Sequence, residues 1–466
     1  MTKRILLIIP PNKIQYLRED RCQSPIGKHG ISFGRPPMIL AYAAAIFETK
    51  GAVCRIVDYP SEGLGWAAFE KDLKDFRPDI LFVNTTAETI ENDMIACDAA
   101  KNTDKNILTI SKGGYTFLFD ERMLDAFKNL DGVFRGEMDY SLLGLLGDYT
   151  ATKGLTYRSG GKITRNAQAP FMKDLDRLPF PARHLLKNEL YKQPETLRPI
   201  ATILTGRGCP AVCAFCLTRI TSGGELRNRS PESVLSELEE CVEKYKITEF
   251  FFFSDTFTWD KEWTIKLCKL IVEKNLKIRW ACNSRVNTFD EERAGWMKKA
   301  GCYVIAFGTE SGDQHVLDMM KKGITLEQSK NAIDICKKYG ILSYAYFIIG
   351  TPWETKETVE KTIDFAIKLS PDFAEFLKFR LMPGTSFYEE AKKRGWMIEG
   401  SIFGEPRLKH PNLTDDDIEK YYKKAVLRFF MRPGYIAKTL IRSKSPKEAL
   451  NYVLIGFQKI NELLLK

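Results

Sequence analysis

Two α/β domains in series, each built on a parallel sheet, are what this 466-residue sequence predicts. Three observations carry that expectation. Short apolar runs alternate with helical patterns along most of the chain, a Pro- and Gly-containing stretch interrupts the alternation once, and the length exceeds one ordinary core.

In the first 150 residues, Arg4–Ile9 reads as a strand, Pro37–Lys50 as a helix and Val53–Asp58 as a second strand. Asp79–Asn84 follows as a strand, then a helical stretch to about Lys101 and a strand at Asn106–Ser111. A helix near Leu118–Asn129, a strand at Gly132–Arg135 and the segment Asp139–Leu146 close the series. Strands alternating with helices mean a parallel, doubly wound sheet covered on both faces, which binds ligands at the carboxyl ends of its strands. Those ends carry Pro11 and Asn12, Asn84, Thr85 and Thr86, Gly113, Gly114 and Tyr115, and Arg135, Gly136 and Glu137.

Residues 151–198 read as a connector: a hairpin of Leu155–Arg158 and Lys162–Arg165, then an extended strap at Leu178–Pro181. The second series runs from 199 to 400. Its strands are Ile200–Thr205, Glu249–Ser254, Lys277–Asn283, Cys302–Gly308, Leu342–Ile349 and Phe373–Arg380. Helical patterns fall between them at Pro231–Tyr245, Lys261–Asn275, Glu291–Ala300, Leu326–Tyr339 and Lys356–Leu369. Six such units predict a partial (β/α)6 barrel. Residues 401–466 read as a basic, mostly helical region.

Seventy Lys and Arg against 60 Asp and Glu give a net charge of +10, with 44% hydrophobic residues. From Lys423 to Lys466 ten basic residues face Glu448 and Glu462, so most of the net charge lies in the last tenth. The opening apolar run, Ile5–Ile9, is too short for a signal peptide, and no stretch approaches the roughly 20 apolar residues of a membrane-spanning helix. Eleven cysteines without such a signal point to a reducing, cytoplasmic setting. Basic charge alone does not identify a nucleic-acid binder, and none is expected as a partner.

Cys209, Cys213 and Cys216 fall within eight residues directly after a strand. Three thiolates suit an iron–sulfur cubane with one iron left open; zinc with a fourth ligand is the alternative. The remaining cysteines are scattered over apolar positions and read as core.

This C-x3-C-x2-C run, with Phe215 before its last cysteine, resembles the radical S-adenosylmethionine (SAM) superfamily. Further segments match in order: Ser254-Asp255-Thr256-Phe257, Gly308-Thr309-Glu310-Ser311-Gly312 with Lys322-Gly323, Gly350-Thr351-Pro352-Trp353-Glu354-Thr355, and Pro383-Gly384-Thr385 with Tyr388. The resemblance implies a [4Fe-4S] cluster on the three cysteines and cleavage of SAM to a 5′-deoxyadenosyl radical. It places Phe215, Asn283, Arg285, Glu310, Ser311, Gly350, Thr351 and Pro352 around SAM, Glu310 at the amino end or ribose and Arg285 or Asn283 at the carboxylate or ribose. A reducing partner such as flavodoxin or ferredoxin is implied as well.

Pro36-Pro37, Gly51–Asp58, Gly113-Gly114 and Arg135-Gly136-Glu137 resemble the cobalamin-binding, Rossmann-like domains fused to such TIM-type barrels. Asp174–Arg183 resembles their strap. The group includes the anaerobic magnesium-protoporphyrin monomethyl ester cyclase and class B methylases. No D-x-H-x-x-G motif is present, so the resemblance implies cobalamin without a histidine beneath the metal. A cobalamin-dependent radical methylase is the expected function, with an oxidative cyclase or other radical rearrangement as the alternative and a non-catalytic binding protein as a third. The substrate is expected to be a small, hydrophobic, tetrapyrrole- or lipid-like molecule. The apolar and basic residues after Tyr421 suggest peripheral membrane contact.

Overall fold

The computed structural model describes residues 2–18, 23–26, 35–193, 196–400, 403, 406–443, 450 and 453. Cys22, His29 and most of the tail after Ser443 lie outside them. The chain divides into two compact units: Met1–Lys192 with Pro199–Ala201 and Gly400–Gly404, and Gln193–Arg198 with Thr202–Glu399 and Glu405–Lys466.

The first unit holds strands β1 (Arg4–Ile9), β2 (Gln15–Arg18), β3 (Gln23–Ile26), β4 (Val53–Asp58), β5 (Ile80–Asn84), β6 (Leu108–Lys112), β7 (Gly132–Phe134), β8 (Leu155–Ser159) and β9 (Lys162–Arg165). Seven of them form one sheet, ordered β4-β1-β5-β6-β7-β8-β9. From β4 to β7 neighbouring strands are parallel. Every residue of β5, and all of β1 after Arg4, is buried, as expected of strands covered on both faces. Because β4 lies on one side of β1 and β5 on the other, the strand order reverses between β1 and β5. That reversal is the position where doubly wound sheets open a crevice for a ligand.

The hairpin that the sequence places in a connector is instead the antiparallel edge of this sheet, with Gly132 paired to Tyr157 and Phe134 to Leu155. Strand β7 is only three residues long, and the hairpin covers an edge that would otherwise expose unpaired backbone. Four further details differ from expectation. A helix at Trp66–Phe76 and the β2–β3 hairpin were not anticipated; the helix near Leu118 shrinks to Asp120–Ala126; and Tyr140–Leu146 is a 3-10 helix.

The second unit continues with β10 (Ile200–Leu204), β11 (Gly206–Arg207), β12 (Arg227–Asn228), β13 (Glu249–Phe253), β14 (Arg279–Ser284), β15 (Cys302–Glu310), β16 (Leu342–Ile349) and β17 (Phe373–Lys378). Its six-stranded sheet runs β10-β13-β14-β15-β16-β17, in chain order, with parallel pairing from β13 onward. The helices between the strands start and stop where local chemistry dictates. Ser230 caps Pro231–Tyr245 with proline at its first position, while Thr325 and Thr355 form capping boxes on Leu326–Tyr339 and Lys356–Leu369. The stacked pair Phe252 and Trp280, 4.4 Å between ring centroids, fills the buried layer between the first strands and their helices. Helices Asp415–Phe430 and Pro433–Arg442 follow, Phe429 packing edge-on against Phe376 of β17. Among the described residues no helix is long and apolar enough to cross a membrane.

Candidate functional site

The cysteine loop is rooted in a two-stranded ribbon of β11 and β12, in which Gly206 pairs with Asn228 and Arg207 with Arg227. Gly208 turns the chain out of that ribbon at φ +88°, and a Cβ there would collide with the carbonyl oxygen of Glu225. Only glycine combines the left-handed backbone with that close approach. The Gly208 amide donates to Asp255 Oδ2 at 2.6 Å, tying the loop to the end of β13. Farther along, the Ala214 amide donates to the Met320 carbonyl at 2.9 Å, and the Ala214 carbonyl accepts from the Phe387 amide at 3.0 Å. Beneath it Leu381, Phe387 and Ala391 form a buried apolar cushion with Trp353 and Tyr388. The Pro383–Tyr388 segment is therefore a support for the loop.

On this frame the three sulfurs have separate partners. Cys209 Sγ is 3.8 Å from Thr256 Oγ1, Cys216 Sγ donates to Thr218 Oγ1 at 3.2 Å, and Cys213 Sγ accepts from Arg285 Nη1 at 3.4 Å. Among the described residues no three His, Cys, Asp or Glu side chains converge as a single metal ion would require. A cubane takes one thiolate on each of three irons, and three free cysteines on one short loop supply that donor set.

Arg285 and Lys322 flank the loop, Arg285 at Cys213 and Lys322 at the loop's own Phe215, with Glu310 paired to Lys322. Strand β15 bulges between Gly308 and Glu310, and Glu310 sits at φ +63°, which re-aims its carboxylate. That carboxylate meets Lys322 Nζ at 2.5 Å, both side chains being 8% exposed. A Cβ on Gly308 would collide with both charged groups, so Gly308 leaves the space they occupy. Lys322 Nζ lies 5.9 Å from the Phe215 ring centroid, and the Lys322 carbonyl accepts from Arg285 Nη2. Ser311 is engaged otherwise: its hydroxyl pairs with Thr362 Oγ1 at 3.1 Å, and Gly312 lets helix Lys356–Leu369 approach. Asn283 lies on β14, where its carbonyl accepts from the Phe257 amide at 3.1 Å.

The loop Gly350-Thr351-Pro352 follows β16. Glu354 Oε2 accepts from the Gly350 amide at 2.7 Å and the Thr351 amide at 2.8 Å, and complete burial raises this carboxyl to about 7. His410 Nδ1 accepts two backbone amides, from Asn412 and Leu413, so the proton sits on Nε2, which donates to the Thr351 carbonyl at 2.6 Å. Asp255, Lys322, Glu354 and His410 were all missed as site residues from the sequence. The first three lie in segments whose motifs were legible; His410 carries no local signal.

In the first unit the carboxyl ends of parallel strands share one edge, so Pro11 and Asn12, Asn84 to Thr86, Gly113 and Gly114, and Arg135 to Glu137 are brought to it. Asn84, Thr85 and Thr86 are buried, and Asn84 Oδ1 has no hydrogen-bond partner. An orphaned buried amide oxygen at the strand-order reversal fits a polar ligand. Arg18 closes this end of β5 in a forked pair with Asp93, at 2.7 and 3.1 Å. A Cβ on Gly113 would run into the Thr85 carbonyl, so the two loops touch through backbone. Arg135 lies 3.2 Å from Asp120 Oδ2, at the start of helix Asp120–Ala126, and 3.2 Å from Gln168 Oε1. The one histidine among the described residues of this unit, His184, pairs with Glu48 at 3.1 Å.

The Radical SAM superfamily model matches residues 203–366, the span that holds the three cysteines, Arg285, Glu310, Lys322 and Glu354. An uncharacterised methyltransferase of Pyrococcus horikoshii is 32% identical over 94% of each chain. The anaerobic magnesium-protoporphyrin IX monomethyl ester cyclase of Rubrivivax gelatinosus is 27% identical, over 91% of this chain and 79% of its own. Two solved structures share the fold. The radical SAM methyltransferase TsrM of Kitasatospora setae aligns with a TM-score of 0.70 at 20% identity, covering 85% of this chain and 77% of TsrM. The cobalamin-dependent SAM radical enzyme OxsB aligns with a TM-score of 0.78 at 15% identity, covering 100% of this chain and 72% of OxsB. With likeness to the Pyrococcus relative over 94% of the chain and the cysteine loop in place, this chain belongs to the radical SAM superfamily, and it shares the two-part fold of TsrM and OxsB.

Proposed function

We propose that the chain is a cobalamin-dependent radical SAM methyltransferase acting on an unactivated carbon of a small organic substrate. The observation that carries this reading is the cysteine loop, whose three free thiols each have their own neighbour beside a buried pair of opposite charges. When bound, the cluster supplies a low-potential electron to the sulfonium of SAM, and cobalamin supplies the transferable methyl. The protein binds and orients. Glu310 and Lys322 present one negative and one positive group, the complement of an amino-acid zwitterion such as the methionine end of SAM. Glu354 and His410 fix the loop proposed to wall the adenine. In the first unit the reversal between β1 and β5, with Asn12 and Asn84 to Thr86, is the proposed cobalamin cradle.

The decisive experiment is anoxic reconstitution with iron, sulfide and cobalamin, followed by reaction with dithionite and SAM carrying a deuterated methyl group. Four irons per chain, release of 5′-deoxyadenosine and their loss in Cys213→Ala are expected. 5′-Deoxyadenosine without labelled methyl in any product would move the reading to the rearrangement implied by the cyclase relatives.

A hydrophobic substrate is part of the same reading. Ile436, Leu440 and Ile441 are exposed on helix Pro433–Arg442, within the segment of the sequence that carries a net charge of +8. Apolar side chains among basic ones suit an anionic lipid surface. Sedimentation with phosphatidylglycerol vesicles at low salt tests it, and a chain that stays in the supernatant would refute it.

A further inference from the structure

Arg285 was expected at the carboxylate or ribose of SAM, yet its guanidinium is committed elsewhere. It is 7% exposed. Nη1 donates to Cys213 Sγ at 3.4 Å, Nε to Asn287 Oδ1 at 3.2 Å and Nη2 to the Lys322 carbonyl, with Trp259 5.9 Å away. None of these partners is a carboxylate, and among the described residues no Asp or Glu lies within ion-pair distance. Arg18, Arg135, Arg229 and Arg293 are buried to a similar degree, and each faces an acid. The buried carboxylate of Glu310 is already paired with Lys322.

A buried cation without a counter-charge is strongly destabilising. The group Arg285 points to that can carry a negative charge is the sulfur of a candidate cluster cysteine, Cys213. We propose that Arg285 is a positioning residue for the cluster, its fixed positive charge compensating the thiolate-bound iron and favouring the state with one additional electron. The inference rests on the cluster assignment made above. It assigns to Arg285 the reduction potential of the cluster, with no part in holding SAM. The added electron comes from a low-potential donor, dithionite in the assay, and no proton is moved.

Three measurements on the anoxic full-length chain test it. Iron and sulfide are counted first in the wild type, and failure to bind four irons would sink the cluster assignment and this proposal together. In Arg285→Gln the midpoint potential, read by redox titration and electron paramagnetic resonance without SAM, should fall by about 59 mV or more. That corresponds to a tenfold change in the one-electron equilibrium. Arg285→Lys, which retains the charge, should recover most of the shift. The cluster-free protein supplies the independent readout. There the cation lacks compensation, so Arg285→Met should raise the thermal midpoint, whether or not that variant assembles a cluster. An unchanged potential in Arg285→Gln with weakened SAM binding, or a lower thermal midpoint of cluster-free Arg285→Met, would overturn the proposal.

Discussion

Replacing Lys322 with methionine tests whether the Glu310–Lys322 pair is the electrostatic centre of the barrel site. The ammonium lies 2.5 Å from the carboxylate, both side chains are 8% exposed, and Glu310 is also held at φ +63° on a bulge. Methionine matches the length of lysine but leaves a buried carboxylate without its partner. Breaking a buried pair from one side costs about 3–5 kcal/mol. Changing both residues, Lys322→Met with Glu310→Gln, removes the stranded charge. The double variant should therefore recover at least about 1.5 kcal/mol relative to the sum of the single changes. Six of the seven tryptophans, all except Trp66, belong to the second unit, so urea unfolding followed by fluorescence reports on the barrel. A Lys322→Met barrel within about 1 kcal/mol of wild type, or strictly additive single changes, would refute the reasoning.

Other consequences follow from the same geometry. Gly208→Ala should cut cluster iron to less than half of wild type, because its Cβ meets the Glu225 backbone. Gly161→Ala has the same sign of φ, with open space around it, and should leave iron content unchanged; equal iron in both variants would contradict the clash. Burial raises Glu354 from 4.5 to about 7, so the folded barrel holds a proton that the unfolded chain has released between those values. The stability this contributes is fully present below pH 4.5 and is lost as pH rises to about 7, by roughly 3 kcal/mol at most. Glu354→Gln should flatten that slope in unfolding measured from pH 5 to 8, and an unaltered slope would count against the assignment. His410→Ala removes the bond to the Thr351 carbonyl and should weaken SAM binding several-fold in equilibrium dialysis with little change in cluster iron.

The sequence by itself carried the local architecture and the candidate cluster cysteines. Helices Pro231–Tyr245, Leu326–Tyr339 and Lys356–Leu369 lie where periodicity and capping residues put them, since those signals act within a few residues. The three cysteines were legible for the same reason: their chemistry and spacing are local. Helix Trp66–Phe76 was missed: Phe69 and Leu73 lie four apart on its buried face, but its polar neighbours diluted the pattern. What only the tertiary structure decided is which charge meets which. Strand order brought Arg285 of one loop to Cys213 of another, set Lys322 against Glu310 across a bulge, and carried His410 from beyond the barrel to the Thr351 carbonyl. It also sent Arg135 to Asp120 and Ser311 to Thr362, away from the ligand roles their motifs suggested. A side chain's nearest partner depends on packing between segments dozens of residues apart, and no pattern read along the chain contains that information.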